Sequence, residues 1–194
     1  THKYKKEKNI CRTYLGDGAM NNGQVYEAFN MASLWSLPVL YIIENNMYGM
    51  GTSVNRASAG SDLYKRGEAF DIKGSIVNGM NVFEVIKAAQ IAGDYVRDGK
   101  GPYILEVQTY RYRGHSMSDP AKYRSKEEVA KIRQESDPID TLQNLIINKK
   151  FADEEELKKI DRETKTIIQS AVEFAQNSEE PLEEQLYTDV YLEA

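Results

Sequence analysis

ICRTYLGDGAMNNGQVYEAFNMASLWSLPVLYIIENN, residues 10–46, decides the fold. It holds two strand-like runs, one helix-like run and two sharp reversals, in an order that leaves few topologies open. Ile10–Leu15 reads as a short strand that runs into the turn Gly16-Asp17-Gly18. Val25, Ala28, Phe29, Ala32 and Trp35 then recur at the i, i+3, i+4 spacing of one helix face. Pro38 closes that segment. Val39-Leu40-Tyr41-Ile42-Ile43 is an unbroken apolar run, as expected of a strand covered on both faces. It ends at Glu44-Asn45-Asn46. A strand, a helix and a strand in this order predict two parallel strands joined by a crossover.

Further along, Met47–Ser61 is rich in glycine and serine without periodicity and reads as a loop. Ser75-Ile76-Val77 suggests another short strand. Asn81, with Glu84 three residues later, resembles a capping box that opens a helix to about Arg97, and Gly99 and Gly101 are stop signals. Tyr103–Thr109 alternates and is β-rich, so it reads as a further strand. A polar loop, Tyr110–Arg124, precedes a second capping-box candidate at Ser125 and Glu128. The remainder reads as helical, with Leu157, Ile160, Ile168, Ala171 and Ala175 on one face. The expected class is α/β, a parallel sheet flanked by helices, with a helical C-terminal extension. In such sheets ligands bind beyond the carboxyl ends of the strands.

Composition narrows the function. With 41% apolar and 28% charged side chains in 194 residues, the chain can bury one sizeable core. Its formal charge of −5 is uneven: residues 151–194 carry 13 acidic and 4 basic side chains, which leaves the rest net positive. The acidic stretch reads as a solvated surface rather than a docking site. No basic stripe interleaved with aromatics argues for nucleic acid, and no run of roughly 18 apolar residues argues for a membrane span. No secretory signal is visible. Cys11, the single cysteine, cannot form an internal disulfide, which favours a reducing compartment.

The two reversals carry the chemistry. Each follows a buried-type strand, and the 26 residues between Gly18 and Asn45 suffice for one crossover helix. Adjacent parallel strands would set Asp17 and Asn46 side by side at one sheet edge. A carboxylate and an amide oxygen are hard donors suited to Mg²⁺ or Ca²⁺, and Mg²⁺ fills its octahedron with phosphate oxygens and water. Glycines let the backbone approach a ligand, and the following helix start offers N–H groups to an anion. Either motif alone is usually a plain turn; paired, they predict a site for a metal-bound diphosphate.

Gly16-Asp17-Gly18 through Asn45-Asn46 resembles the thiamine diphosphate motif of thiamine-dependent enzymes. The wider text, GDGAMNNGQVYEAFNMASLWSLP, ENNMYGMGTSV and TYRYRGHSMSDPAKYR, is similar to alpha subunits of the decarboxylating component of 2-oxo-acid dehydrogenases, the pyruvate type above all. The resemblance runs across nearly the whole chain and is strongest from Leu15 to Arg124. It implies thiamine diphosphate and Mg²⁺ as cofactors, with Asp17, the Asn46 side chain and the Tyr48 carbonyl as metal donors. It further implies that the backbone of Gly18, Ala19 and Gly49 lies along the diphosphate. His115, in Arg113-Gly114-His115-Ser116, matches the family's active-site loop histidine, with a role in hydrogen bonding or proton shuttling at the reactive end of the cofactor. Ser116 and Ser53 match regulatory phosphorylation positions of mitochondrial relatives, while a third such position is Lys122 here. Arg111, Arg113 and Arg124 are expected to order the loop by ion pairs, with attraction of a substrate carboxylate as the other reading.

The implied reaction is oxidative decarboxylation of pyruvate with acetyl transfer to a lipoyl group of an acyltransferase core. The implied partners are a beta subunit, which supplies the glutamate that activates the cofactor, and that core, in an alpha/beta heterotetramer. Residues 1–124 are expected to form the diphosphate and metal-binding portion, including loop 110–124, and residues 125–194 a helical region packed on the same domain. The chain is read as lacking an N-terminal portion, and so as inactive alone. Its expected setting is bacterial cytoplasm or mitochondrial matrix. Two other readings stay open: a branched-chain oxo-acid or acetoin dehydrogenase alpha subunit, and an assembly fragment without chemistry of its own.

Overall fold

In the computed structural model, which describes residues 1–190, the two apolar runs around the first helix lie side by side. Strand β1 (Cys11–Gly16) is parallel to β2 (Val39–Asn45), in a register that sets Gly16 opposite Glu44. Between them runs α1 (Gly23–Leu34), whose N-cap Asn22 accepts the Gln24 N–H at 3.3 Å. Phe29 and Ala32 of α1 are buried, as the spacing predicts. Ala28 is exposed, and Trp35 departs from the expected face at 50% exposure. The helix stops at Leu34, and Trp35 is its C-cap with non-helical dihedrals, so the 3.6-residue period no longer governs its direction.

The stretch expected to be a featureless loop holds structure. Strands β3 (Tyr48–Gly49) and β4 (Thr52–Ser53) pair antiparallel, and a single helical turn, α2 (Val54–Ala57), follows. A 3₁₀ helix spans Leu63–Phe70. Strand β5 (Lys73–Asn78) leads into α3 (Val82–Arg97), and β6 (Tyr103–Gln108) closes the sheet. The strand order is β1-β2-β6-β5, all parallel. β6 therefore lies inside the sheet, and its first four residues are all buried. The alternation expected of it from sequence gives way to burial on both faces.

Two apolar clusters sandwich the sheet. Phe29 and Ala32 of α1 pack with Leu63 and Ile72 against Tyr41, Ile43 and Ile104 on one face. Ala92 and Val96 of α3 pack with Leu40, Tyr103 and Leu105 on the other. This is the expected α/β architecture. Its carboxyl edge carries the ends of β1, β2 and β6, where the candidate residues gather. Two more helices follow, α4 (Lys126–Ser136) and α5 (Pro138–Asn148).

The chain divides into two compact units, one over Thr1–Leu142 and one from Gln143 onward. The second is built on α6 (Glu154–Asn177), opened by a complete capping box in which Asp153 and Glu156 satisfy each other's backbone N–H groups at 2.9 and 3.1 Å. Three glutamates in its first turn suit the positive end of the helix dipole. No helix among the described residues is long and apolar enough to cross a membrane.

Candidate functional site

Parallel pairing of β1 with β2 brings their two reversals together at the same end of the sheet. The contact is tight. A Cβ added at Gly49 would meet Gly18 Cα at 3.2 Å and Asp17 Oδ2 at 3.6 Å, so the two turns touch backbone to backbone. Asp17 is 4% exposed and forms none of the salt bridges among the described residues. Burial pushes its carboxyl above the ordinary range, opposed in turn by its own N–H, the Asn46 N–H and the charge of Arg111. Gly18 and Ala19 are exposed on the rim. Asn46, half-buried, accepts the Tyr48 N–H through Oδ1 at 3.3 Å, which curls the second turn.

The first turn is held from outside by a residue that sequence reasoning passed over. Arg66, on the 3₁₀ helix, donates to the Met20 carbonyl at 2.7 Å and to Asn21 Oδ1 at 2.9 Å. The second turn is held by an aromatic cage. Tyr48 and Tyr110 both donate to Glu128 Oε1 on α4, at 3.3 and 2.6 Å. Burial first, then the adjacent carboxylate, pushes both phenols upward, so both stay protonated donors at neutral pH. Glu128 was expected to close a capping box with Ser125. Ser125 does cap the helix, accepting the Glu128 N–H at 3.0 Å, but the Glu128 side chain is turned to the tyrosines instead. A cavity of ≈ 430 Å³ opens beside this cage, lined by Met47, Tyr48, Thr109, Tyr110 and Glu128 among others.

Loop 110–124 is ordered without the expected ion pairs. Arg124 donates to the Arg111 carbonyl and, at 2.7 Å, to the Arg113 carbonyl. Its guanidinium also lies 5.7, 5.3 and 5.7 Å from the ring centres of Tyr48, Tyr110 and Tyr123. Asp119 takes no arginine. It accepts the His115 and Ala121 N–H groups at 2.8 Å each and the Tyr123 hydroxyl at 2.9 Å. A planar cation over three rings and a carboxylate filled by N–H donors leave neither free to pair with the other.

His115 is exposed, and its Nδ1 lies 3.4 Å from Arg111 Nη1. Arginine can only donate, so a hydrogen bond at this contact has Nδ1 as its acceptor, the arrangement of an imidazole that carries its N–H on Nε2. Arg111 thus reaches both the Asp17 carboxyl, through its charge, and His115, through this contact. Ser116 is exposed, with its Oγ 3.0 Å from Ser118 Oγ, while Ser53 is half-buried at the end of β4 and Lys122 is exposed. Among the described residues no three His, Cys, Asp or Glu side chains cluster as a metal cage. The expected donors are one carboxylate, one side-chain amide and one carbonyl, a set that holds a cation only when phosphate oxygens and water complete it.

Comparison with known proteins bears on what this arrangement serves. Residues 1–184 match the family described as "Dehydrogenase E1 component". The chain is 57% identical over 190 residues to the pyruvate dehydrogenase E1 component subunit alpha of Rickettsia typhi, covering 98% of this chain and 58% of that protein. The corresponding protein of Rhizobium meliloti is 55% identical over 191 residues, covering 98% and 55%. The mitochondrial one of Sminthopsis macroura is 50% identical over 190 residues, covering 97% and 52%. The chain spans little more than half the length of these relatives.

Proposed function

The chain belongs to the dehydrogenase E1 component family, a family of enzymes, and from that premise we propose that it forms the diphosphate-holding part of a pyruvate dehydrogenase alpha subunit. The proposed reaction is oxidative decarboxylation of pyruvate with acetyl transfer to a lipoyl group of an acyltransferase core. The proposed partners are a beta subunit, in an alpha/beta heterotetramer, and that core. One observation carries the reading: Gly18 and Gly49 meet without an intervening side chain, beside a buried Asp17 carboxyl with no salt-bridge partner among the described residues.

These residues fit thiamine diphosphate with Mg²⁺. Asp17, the Asn46 side chain and the Tyr48 carbonyl would hold the ion, and the backbone of Gly18, Ala19 and Gly49 would line the diphosphate. Thiamine diphosphate, when bound, supplies the nucleophilic carbon and the electron sink for loss of CO₂. The protein binds, orients and moves protons. Asp17 neutralises charge on the cation, and the cage of Tyr48, Tyr110 and Glu128 keeps the second turn from swinging away. His115, through Nε2, would hold or move a proton at an oxygen of the substrate. Arg111, a donor beside Nδ1, favours the imidazole with its N–H on Nε2.

Ser116 and Ser53 are proposed modification sites. A phosphate on exposed Ser116 would add about −1.5 to −2 charge one residue from His115, drawing Arg111 or repelling anionic substrate. Bacterial relatives and one named as mitochondrial support a setting in bacterial cytoplasm or mitochondrial matrix. On its own, the 194-residue stretch is proposed to bind cofactor weakly and to turn nothing over.

The deciding experiment is calorimetric titration of thiamine diphosphate into the assembled alpha and beta subunits with and without Mg²⁺, for wild type and Asp17→Asn. Loss of an outer contact to a metal ligand weakens binding 10–100-fold, so loss of the direct charge should weaken the Mg²⁺-dependent component about 100-fold. Equal binding by both proteins would refute the site.

A further inference from the structure

A fully buried carboxylate, Glu106, lies outside the machinery described so far. It sits on β6 and has no cationic partner among the described salt bridges. Both of its oxygens are occupied. Oε1 accepts from Asn45 Nδ2 at 2.7 Å, and Oε2 accepts the Tyr64 N–H at 3.0 Å, at the start of the 3₁₀ helix. Burying a carboxyl with no cation beside it is costly, and an apolar residue of similar size would suit a sheet interior better.

Asn45 relays the constraint. It is 1% exposed at the end of β2, and its Oδ1 accepts the Met47 N–H at 3.1 Å. Its carbonyl accepts the Thr109 N–H at 2.8 Å, which ties the same point to the end of β6. Met47 has a φ of +71°, a left-handed conformation disfavoured for a side chain with a Cβ. Asn46 precedes this residue and Tyr48 follows it. The orientation of an amide such as Asn45 is set by its hydrogen bonds and not by packing, since its two ends are nearly the same shape. Both Glu106 oxygens accept here, which turns Nδ2 inward and leaves Oδ1 facing Met47.

We infer that Glu106 is a positioning residue for the cofactor turn: through Asn45 it fixes the Met47 amide, and so the flanking Asn46 and Tyr48, the two proposed metal donors of that turn. The inference rests on the proposed function of those two donors. Its test is Glu106→Gln in the full-length alpha subunit assembled with its beta subunit. Glutamine keeps the volume, but one end becomes a donor, so either the Tyr64 N–H loses its acceptor or Asn45 turns its Oδ1 to the glutamine and away from the Met47 N–H. Without Mg²⁺ or thiamine diphosphate, hydrogen exchange at the Met47 and Tyr48 amides should quicken at least about tenfold. The Mg²⁺ concentration for half-maximal cofactor binding should rise about tenfold, with kcat at saturation nearly unchanged.

Ile104→Val, a loss of core volume on the same strand, serves as the control and should lower the melting temperature with neither effect. Wild-type exchange in Glu106→Gln, equal quickening in Ile104→Val, or loosened amides with an unchanged Mg²⁺ requirement would each overturn the inference. Failure of the underlying site shows separately, as an Asp17→Asn assembly that still binds cofactor in a Mg²⁺-dependent way.

Discussion

Asp119 illustrates how one side chain can organise a loop that has no regular structure. Three donors converge on its carboxylate, from His115, Ala121 and Tyr123. The His115 N–H first, then that of Ala121, hold its pKa below the ordinary aspartate value of 3.8. A carboxyl with a depressed pKa contributes order that is fully present above the unstructured value and is lost as pH falls through the lowered one. Loop 110–124 is therefore expected to keep its protection from exchange at pH 5 and to lose it only below pH 3.8. Asp119→Asn should speed exchange at the His115 and Ala121 amides at every pH above that. Unchanged exchange would mean that Arg124 alone orders the loop. At this scale the sequence yields what lies next to a reversal, and little else. Asp17 and Asn46 could be paired because each follows an apolar strand at a spacing that one helix bridges. Glu128 lies 80 residues from Tyr48, and Glu106 lies 61 from Asn45, and no period links residues so far apart. The pairing of Arg124 with carbonyls and rings was likewise unreadable, because an arginine among tyrosines and an aspartate suggests an ion pair first.

Helix α3 is the element whose reading from sequence held best. Asn81 caps it as expected, accepting the Phe83 and Glu84 N–H groups at 3.0 and 3.4 Å, and the helix ends at Arg97. The return half of the box differs: Glu84 accepts from the Asn81 side-chain amide at 2.9 Å rather than from its backbone. Asn81→Ala should cost about 1 kcal/mol, read as a shift of the urea midpoint without a change in slope. A stability equal to wild type would assign the helix start to packing alone. Strands were legible where burial makes a continuous run, as in β2. In β6 the strand itself was legible but its burial was not, because Glu106 and Gln108 imitate a solvent-facing alternation although Glu106 is fully buried. The β3–β4 hairpin escaped notice because its turn, Met50-Gly51, places Met50, not glycine or asparagine, at positive φ.

For the molecule as a whole, the faces left uncovered are informative. Met31, Leu34 and Trp35 of the α1 segment are 46%, 72% and 50% exposed, and Phe83, Ile86 and Ile91 of α3 are all more than half exposed. Soluble monomers seldom show contiguous apolar surface of this kind, which usually marks contact with other protein. The 194-residue stretch, purified without a partner subunit, is expected to bind a hydrophobic dye, to sediment heavier than a monomer, and to give no tight Mg²⁺-dependent cofactor binding in titration. A single monomeric boundary with tight cofactor binding would contradict this. Nothing in composition foretold these faces, since a helix that presents apolar residues on two sides looks from sequence like one with a broad buried stripe.

The touching glycines at positions 18 and 49 have an evolutionary corollary. A ligand seated there is gripped by main chain, which point mutation cannot restyle, so natural drift at the grip itself is confined to losing it. Retuning of affinity must come from the scaffolding behind, in Arg66, Glu128 and Glu106, whose side chains can be exchanged without thickening the wall.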